Sequence, residues 1–178
     1  MRLAAISSTL GLFAALNACK PPPTDADMVA GDMAAQVGPS EPIDSPDTEG
    51  AIWSDSPITT GRIIYGIPGE APLLALGCGD MGDHPSILIT RYAPADEGAE
   101  AVAAFIGNGH VARIPVYATD IDNGSFWRTE ISAFSEELEV LTGTRELAVT
   151  IPGGGRLVIN PSQLPGAFIE ECRASPAV

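Results

Sequence analysis

Apolar and polar positions divide the chain into three stretches. Leu3 to Leu16 is almost wholly apolar, Lys20 to about Ser56 is dominated by Pro, Asp, Ala, Gly, Ser and Thr, and from about Pro57 to Val178 short apolar runs alternate with turn residues. The third stretch is long enough for one domain with a single core. Within it, Arg62 to Ile67, Leu73 to Cys78 and Ser86 to Tyr92 read as strands rich in Ile and Leu, separated by Pro and Gly turns. Ile87-Leu88-Ile89 is apolar on both faces, as a central strand would be. Ala101 to Gly107 and His110 to Ala118 flank Asn108-Gly109, a two-residue hairpin signal. A competing signal exists: Pro94, Asp96 and Glu97 ahead of an alanine-rich run, with Gly107 behind it, also spell a helix over Ala95 to Ile106. The hairpin is preferred, and the helix stays open.

Further along, Ser125 to Ile131 is expected as a strand, with Phe126 and Arg128 on one face and Trp127 on the other, both aromatics packed on opposite sides of a covered strand. Ser135-Glu136-Glu137-Leu138 should begin a short helix that Gly143 ends. Leu147, Val149 and Ile151 share one face of an alternating strand, and Pro152-Gly153-Gly154-Gly155 turns the chain into a strand from Arg156 to Asn160. Gln163 to Cys172 reads as a short amphipathic helix burying Leu164, Phe168 and Ile169. The expected fold is mainly β, an antiparallel sheet or β-sandwich with one or two short helices, and no internal repeat is visible.

The first stretch has a cation at Arg2, an apolar run broken by Ser7, Ser8 and Thr9, and the ending Leu16-Asn17-Ala18-Cys19. It is too short and too interrupted for a transmembrane helix. It resembles the signal peptide and lipobox of a bacterial lipoprotein. That resemblance implies loss of residues 1–18, a diacylglyceryl group on Cys19 and a mature chain starting there. Lys20, standing where aspartate favours inner-membrane retention in many Gram-negative bacteria, points to the outer membrane, facing the periplasm. Residues 19–56 then form a disordered tether, with prolines at 21, 22, 23, 39, 42 and 46, too poor in apolar surface to offset its ordering entropy. A linker of about 35 residues spans about 30–35 Å on average. Residues 57–178 would be the periplasmic domain.

Charge and cysteine content follow from that placement. The formal net charge is −14, and Lys20 is the one lysine. Repulsion from nucleic acid and anionic lipid argues against both as partners, so membrane contact should come from the acyl chains. With Cys19 taken by lipid, Cys78 and Cys172 remain. In the oxidising compartment that the lipobox implies they are expected to pair, the alternatives being a buried free thiol or a ligand at Cys78. From about Arg62 to Arg173, the early cysteine, the run of strands, the tryptophan, the Leu141-Thr142-Gly143-Thr144-Arg145-Glu146-Leu147 strand entry and the closing cysteine are similar to envelope lipoproteins of proteobacteria.

Candidate chemistry is sparse. Gly77-Cys78-Gly79-Asp80-Met81-Gly82 satisfies the letter of a dinucleotide motif, but no helix follows to present N–H groups to a pyrophosphate, so a glycine-rich loop between strands is expected and no nucleotide. Pro152 to Arg156 lacks the Gly-Lys-Ser/Thr of a P-loop. Cys78, Asp80, Asp83 and His84 could ligate a metal or supply a base, yet too few nitrogen or sulfur donors are present for zinc and too few carboxylates for calcium. No activated serine motif appears, and no cofactor is implied. Arg91 and Arg113 are expected in cross-strand ion pairs, with capture of an anionic group as the other reading. The leading expectation is a lipid-anchored, non-enzymatic domain that binds a protein or envelope component. The second is a lipid-anchored hydrolase or metal-dependent enzyme centred on Asp80, Asp83 and His84.

Overall fold

The structure, a computed structural model, describes residues 43–82, 84–121 and 124–174. The expected signal peptide, Cys19 and most of the expected tether lie outside them. The described chain is a mainly β domain, a single curled sheet of nine strands in the order β1-β2-β3-β4-β7-β6-β5-β8-β9, every neighbouring pair antiparallel. The strands are β1 (Ile52–Asp55), β2 (Arg62–Gly66), β3 (Leu74–Met81), β4 (His84–Pro94), β5 (Glu100–Gly107), β6 (His110–Ile121), β7 (Gly124–Ser132), β8 (Leu147–Ile151) and β9 (Gly155–Ile159). A 3-10 turn at Glu136–Leu138 leads into the short helix α1 (Glu139–Thr142), and α2 (Leu164–Ala174) closes the chain. Among the described residues no helix is long and apolar enough to cross a membrane.

Alternation along the strands sets which side chains meet. Ile63 and Tyr65 of β2, Leu74 and Leu76 of β3, Ile87 and Ile89 of β4, Phe105 of β5, Ile114 of β6, Trp127 of β7, Val149 of β8 and Leu157 of β9 all face inward and are buried. The curl of the sheet wraps this core, and α2 contributes Phe168, Ile169 and Cys172 to it. The two ends of the sheet are joined through side chains. Tyr65 on β2 donates its hydroxyl to the Val158 carbonyl at 3.2 Å and accepts the Asn160 N–H at 3.0 Å, while Asn160 Nδ2 donates to the Thr48 and Ala51 carbonyls at 2.9 Å each. Burial raises the Tyr65 phenol above its ordinary value, keeping it the neutral donor that this joint needs.

The Asn108-Gly109 hairpin is present: both residues have positive φ, 52° and 85°, as a two-residue mirror-image turn requires. Residues 100–107 are therefore strand, and the competing helix reading fails because that segment pairs on both sides, with β6 and with β8. Asn108 also fastens the turn. Its Nδ2 donates to the Val140 carbonyl and its Oδ1 accepts the Arg145 N–H, both at 2.8 Å. A β-carbon on Gly143 would lie 2.2 Å from Asn108 Cγ, so glycine there makes room for the asparagine.

Three expectations need correction. Ordered structure begins earlier than residue 57: Ala51 is buried and Trp53 on β1 packs on Tyr65 with ring centroids 5.3 Å apart. A four-residue strand held by an asparagine more than a hundred residues later leaves little local pattern to read. Gly77, Cys78 and Gly79 form no loop, since β3 runs to Met81 and Cys78 pairs with Ile87. Those glycines face outward where Leu88, Ser86 and Glu130 lie across them, a β-carbon on Gly79 meeting Ser86 Oγ at 3.1 Å. Arg91 forms no cross-strand ion pair. It points into the core, and Nη1 donates to the carbonyls of Leu73 at 2.9 Å and Tyr92 at 3.3 Å, next to the register shift between Arg91 and Pro94. Burial lowers its pKa to about 10.

Candidate functional site

The cysteines come together: Cys78 on β3 and Cys172 on α2 form a disulfide with Cα atoms 5.6 Å apart. It fastens the inner face of β3 to the C-terminal half of α2. Oxidation removes Cys78 from any ligand set, because a disulfide sulfur is no thiolate. Beside it lies a cavity of about 370 Å³ between the β1–β2 turn and α2, walled by Asp55, Thr59, Thr60, Arg62, Phe168 and the disulfide. Arg62 reaches from this rim across β3 to hydrogen-bond the Tyr92 hydroxyl, its guanidinium carbon 5.8 Å from that ring's centroid.

The proposed Asp80, Asp83 and His84 cluster is not assembled by β3 and β4. Asp80 pairs with Pro85 and shares the inward parity of Cys78, whereas His84 pairs with Met81 on the outward parity. The two side chains therefore leave the sheet on opposite faces. Asp83 lies outside the described residues. Among the described residues no three His, Cys, Asp or Glu side chains are grouped as metal ligands would be. The other histidine, His110, borders a shallow depression with Val111, Glu136, Glu137 and Glu139. Hydrogen bonding to Arg173 holds Glu139 below the usual carboxylate range, so this acid is committed to an ion pair.

The outward face of the sheet is the more distinctive surface. Among the described residues, the exposed large apolar side chains include Val102, Ile106, Val111 and Tyr117, all outward positions of the β5–β6 hairpin. Register aligns them with their neighbours. Val111, Ile106, Ala148 and Val158 form one row across β6, β5, β8 and β9, while Arg113, Ala104, Thr150 and Arg156 form another. Tyr117 pairs with Arg128 of β7, which pairs with Thr90 of β4. Leu88, Tyr117, Thr119, Arg128 and Glu130 bound a shallow groove here of about 450 Å³. Phe126 is only half-covered on this face, against Tyr92 with centroids 5.4 Å apart, while Trp127 is in the core, so the two aromatics differ in burial.

Sequence reasoning named Arg113 and Arg128 but did not single out Val102, Ile106 and Val111. Their signal was present: apolar residues at both parities from Ala101 to Ile106 imply a strand covered on both faces, and here one face is left open. No family model matches the chain, and no curated protein or solved structure is detectably similar to it.

Proposed function

We propose that the protein is an exported binding module, anchored to the outer membrane through lipid on Cys19 and docking a protein or envelope component through the outward face of the β5–β6 hairpin. The observation that carries the reading is the gathering of Val102, Ile106, Val111 and Tyr117 on one face of one hairpin. Singly exposed apolar residues are ordinary, whereas a contiguous strip of them marks an interaction surface. The Leu16-Asn17-Ala18-Cys19 ending supplies the anchor, and the Cys78–Cys172 disulfide suits an oxidising compartment. Metabolic labelling with a fatty-acid probe tests the anchor. Label on the wild-type chain that disappears in Cys19→Ala is expected, and label unchanged by that substitution would refute it.

A further inference from the structure

Eight of the nine cationic residues of this chain are arginines, in a protein with 23 acids. Four of those arginines, Arg62, Arg113, Arg128 and Arg156, stand on the outward face of the sheet by strand parity. Among the described residues, none of the four is ion-paired: the two recorded salt bridges both belong to Arg173 on α2. Such an acidic protein has carboxylates to spare, yet the outward positions of β5, β6, β8 and β9 hold one acid, Glu100, and β7 adds Glu130 two residues from Arg128. Arg128 also has a fully covered Nε with no hydrogen-bond acceptor. The face is thus an apolar strip with unneutralised guanidinium groups at its centre and rim, on a molecule negative elsewhere.

Taking that hairpin face as the docking surface, and so resting on the proposed function, we infer that its partner is a protein presenting an apolar patch rimmed with aspartate or glutamate. Guanidinium forks pair carboxylates bidentately, and branched aliphatics such as Val102, Ile106 and Val111 match protein side chains rather than sugar rings. A second copy of this chain fits poorly. A two-fold contact centred on the strip would set Arg113 and Arg156 against arginines, and Glu100, the one acid among the outward positions of β5, β6, β8 and β9, lies outside their row. The strip is small, about 15 Å across four strands and about 20 Å along them, below the 800 Å² or so per partner that stable complexes cover, so the partner is held transiently. An anionic lipid surface would meet the arginines but be repelled by the rest of the molecule.

Two synthetic twelve-residue peptides test the inference, one alternating Leu with Glu and the other Leu with Lys. Each is titrated into the full-length protein purified from its envelope in nonionic detergent, with amide NMR shifts as readout. The expected result is shifts confined to residues 100–106 and 111–117, affinity at least five-fold higher for the Glu peptide, and at least a five-fold loss in Arg113→Glu. Equal binding of both peptides at the hairpin, abolished by Val102→Asp, would overturn the acidic partner while leaving the docking face intact. Binding of neither peptide at millimolar concentration would overturn the inference. So would concentration-dependent self-association in sedimentation, or hairpin shifts with phosphatidylglycerol vesicles and none with the Glu peptide.

Discussion

Replacing Cys78 and Cys172 together with alanine removes a cross-link that spans 94 residues of sequence. In the chain-entropy description a loop of that size costs the unfolded ensemble about 4.7 kcal/mol of conformational freedom, so its release should lower stability by about 3–5 kcal/mol. Truncating the buried Cys172 adds a smaller packing loss, on the order of 1 kcal/mol. Against a typical total of about 5–15 kcal/mol this is a large share. For a domain of this length it corresponds to a fall in melting temperature of about 10–20 °C. Circular dichroism melts and urea titrations of the wild type, the wild type with a phosphine reductant and the double variant measure it. Reduction isolates the cross-link, and the difference from the double variant gives the packing share. Because the bridge ends on α2, an eleven-residue helix too short to hold by itself, its amides should lose hydrogen-exchange protection first. A loss below about 1 kcal/mol on reduction, with α2 protection unchanged, would refute the reasoning.

Other outcomes follow from single contacts. Asn108→Ala removes two hydrogen bonds and puts alanine at a positive φ, and should cost about 2–4 kcal/mol in urea denaturation, whereas Asn108→Gly, which keeps the turn, should cost less. Tyr65→Phe leaves the Val158 carbonyl and the Asn160 N–H without the hydroxyl they share, and should cost about 1–3 kcal/mol and raise exchange at β9. Glu139 binds its proton more weakly folded than unfolded, so its pair with Arg173 stabilises fully above the ordinary value of 4.5 and progressively less as pH falls below it. With Glu139 over a third exposed, Glu139→Gln should cost less than about 1 kcal/mol at neutral pH, and the difference should shrink as pH falls below the ordinary carboxylate range. Arg113→Glu and Val102→Asp, on the open face, should change stability by less than about 0.5–1 kcal/mol while altering binding.

How far the sequence spoke depended on how local each signal was. The β5–β6 hairpin was legible because Asn108-Gly109 fixes its turn within two residues, and α2 because Phe168, Ile169 and Cys172 fall on one helical face. β1 was not, since its place depends on Asn160 reaching Thr48 and Ala51 from the far end of the chain. Arg91 was misread because its acceptors are backbone carbonyls, those of Leu73 and Tyr92, which strand alternation does not reveal. Candidate chemistry at Asp80 and His84 looked close in sequence, but an even-odd difference across a hairpin sends them to opposite faces. The open face stayed hidden for the converse reason: the pattern of Ala101 to Ile106 promises two covered faces, and only the sheet's curl decides which is left bare.

The most direct test of the docking face places a photo-crosslinking amino acid at Val102 and, separately, at Ile58, which is 90% exposed but lies off the strip. Both variants are irradiated in the intact native envelope. The account predicts a discrete protein adduct from position 102, absent from position 58 and lost when Arg113→Glu is added. Adducts of equal yield at both positions, or none at 102, would contradict it.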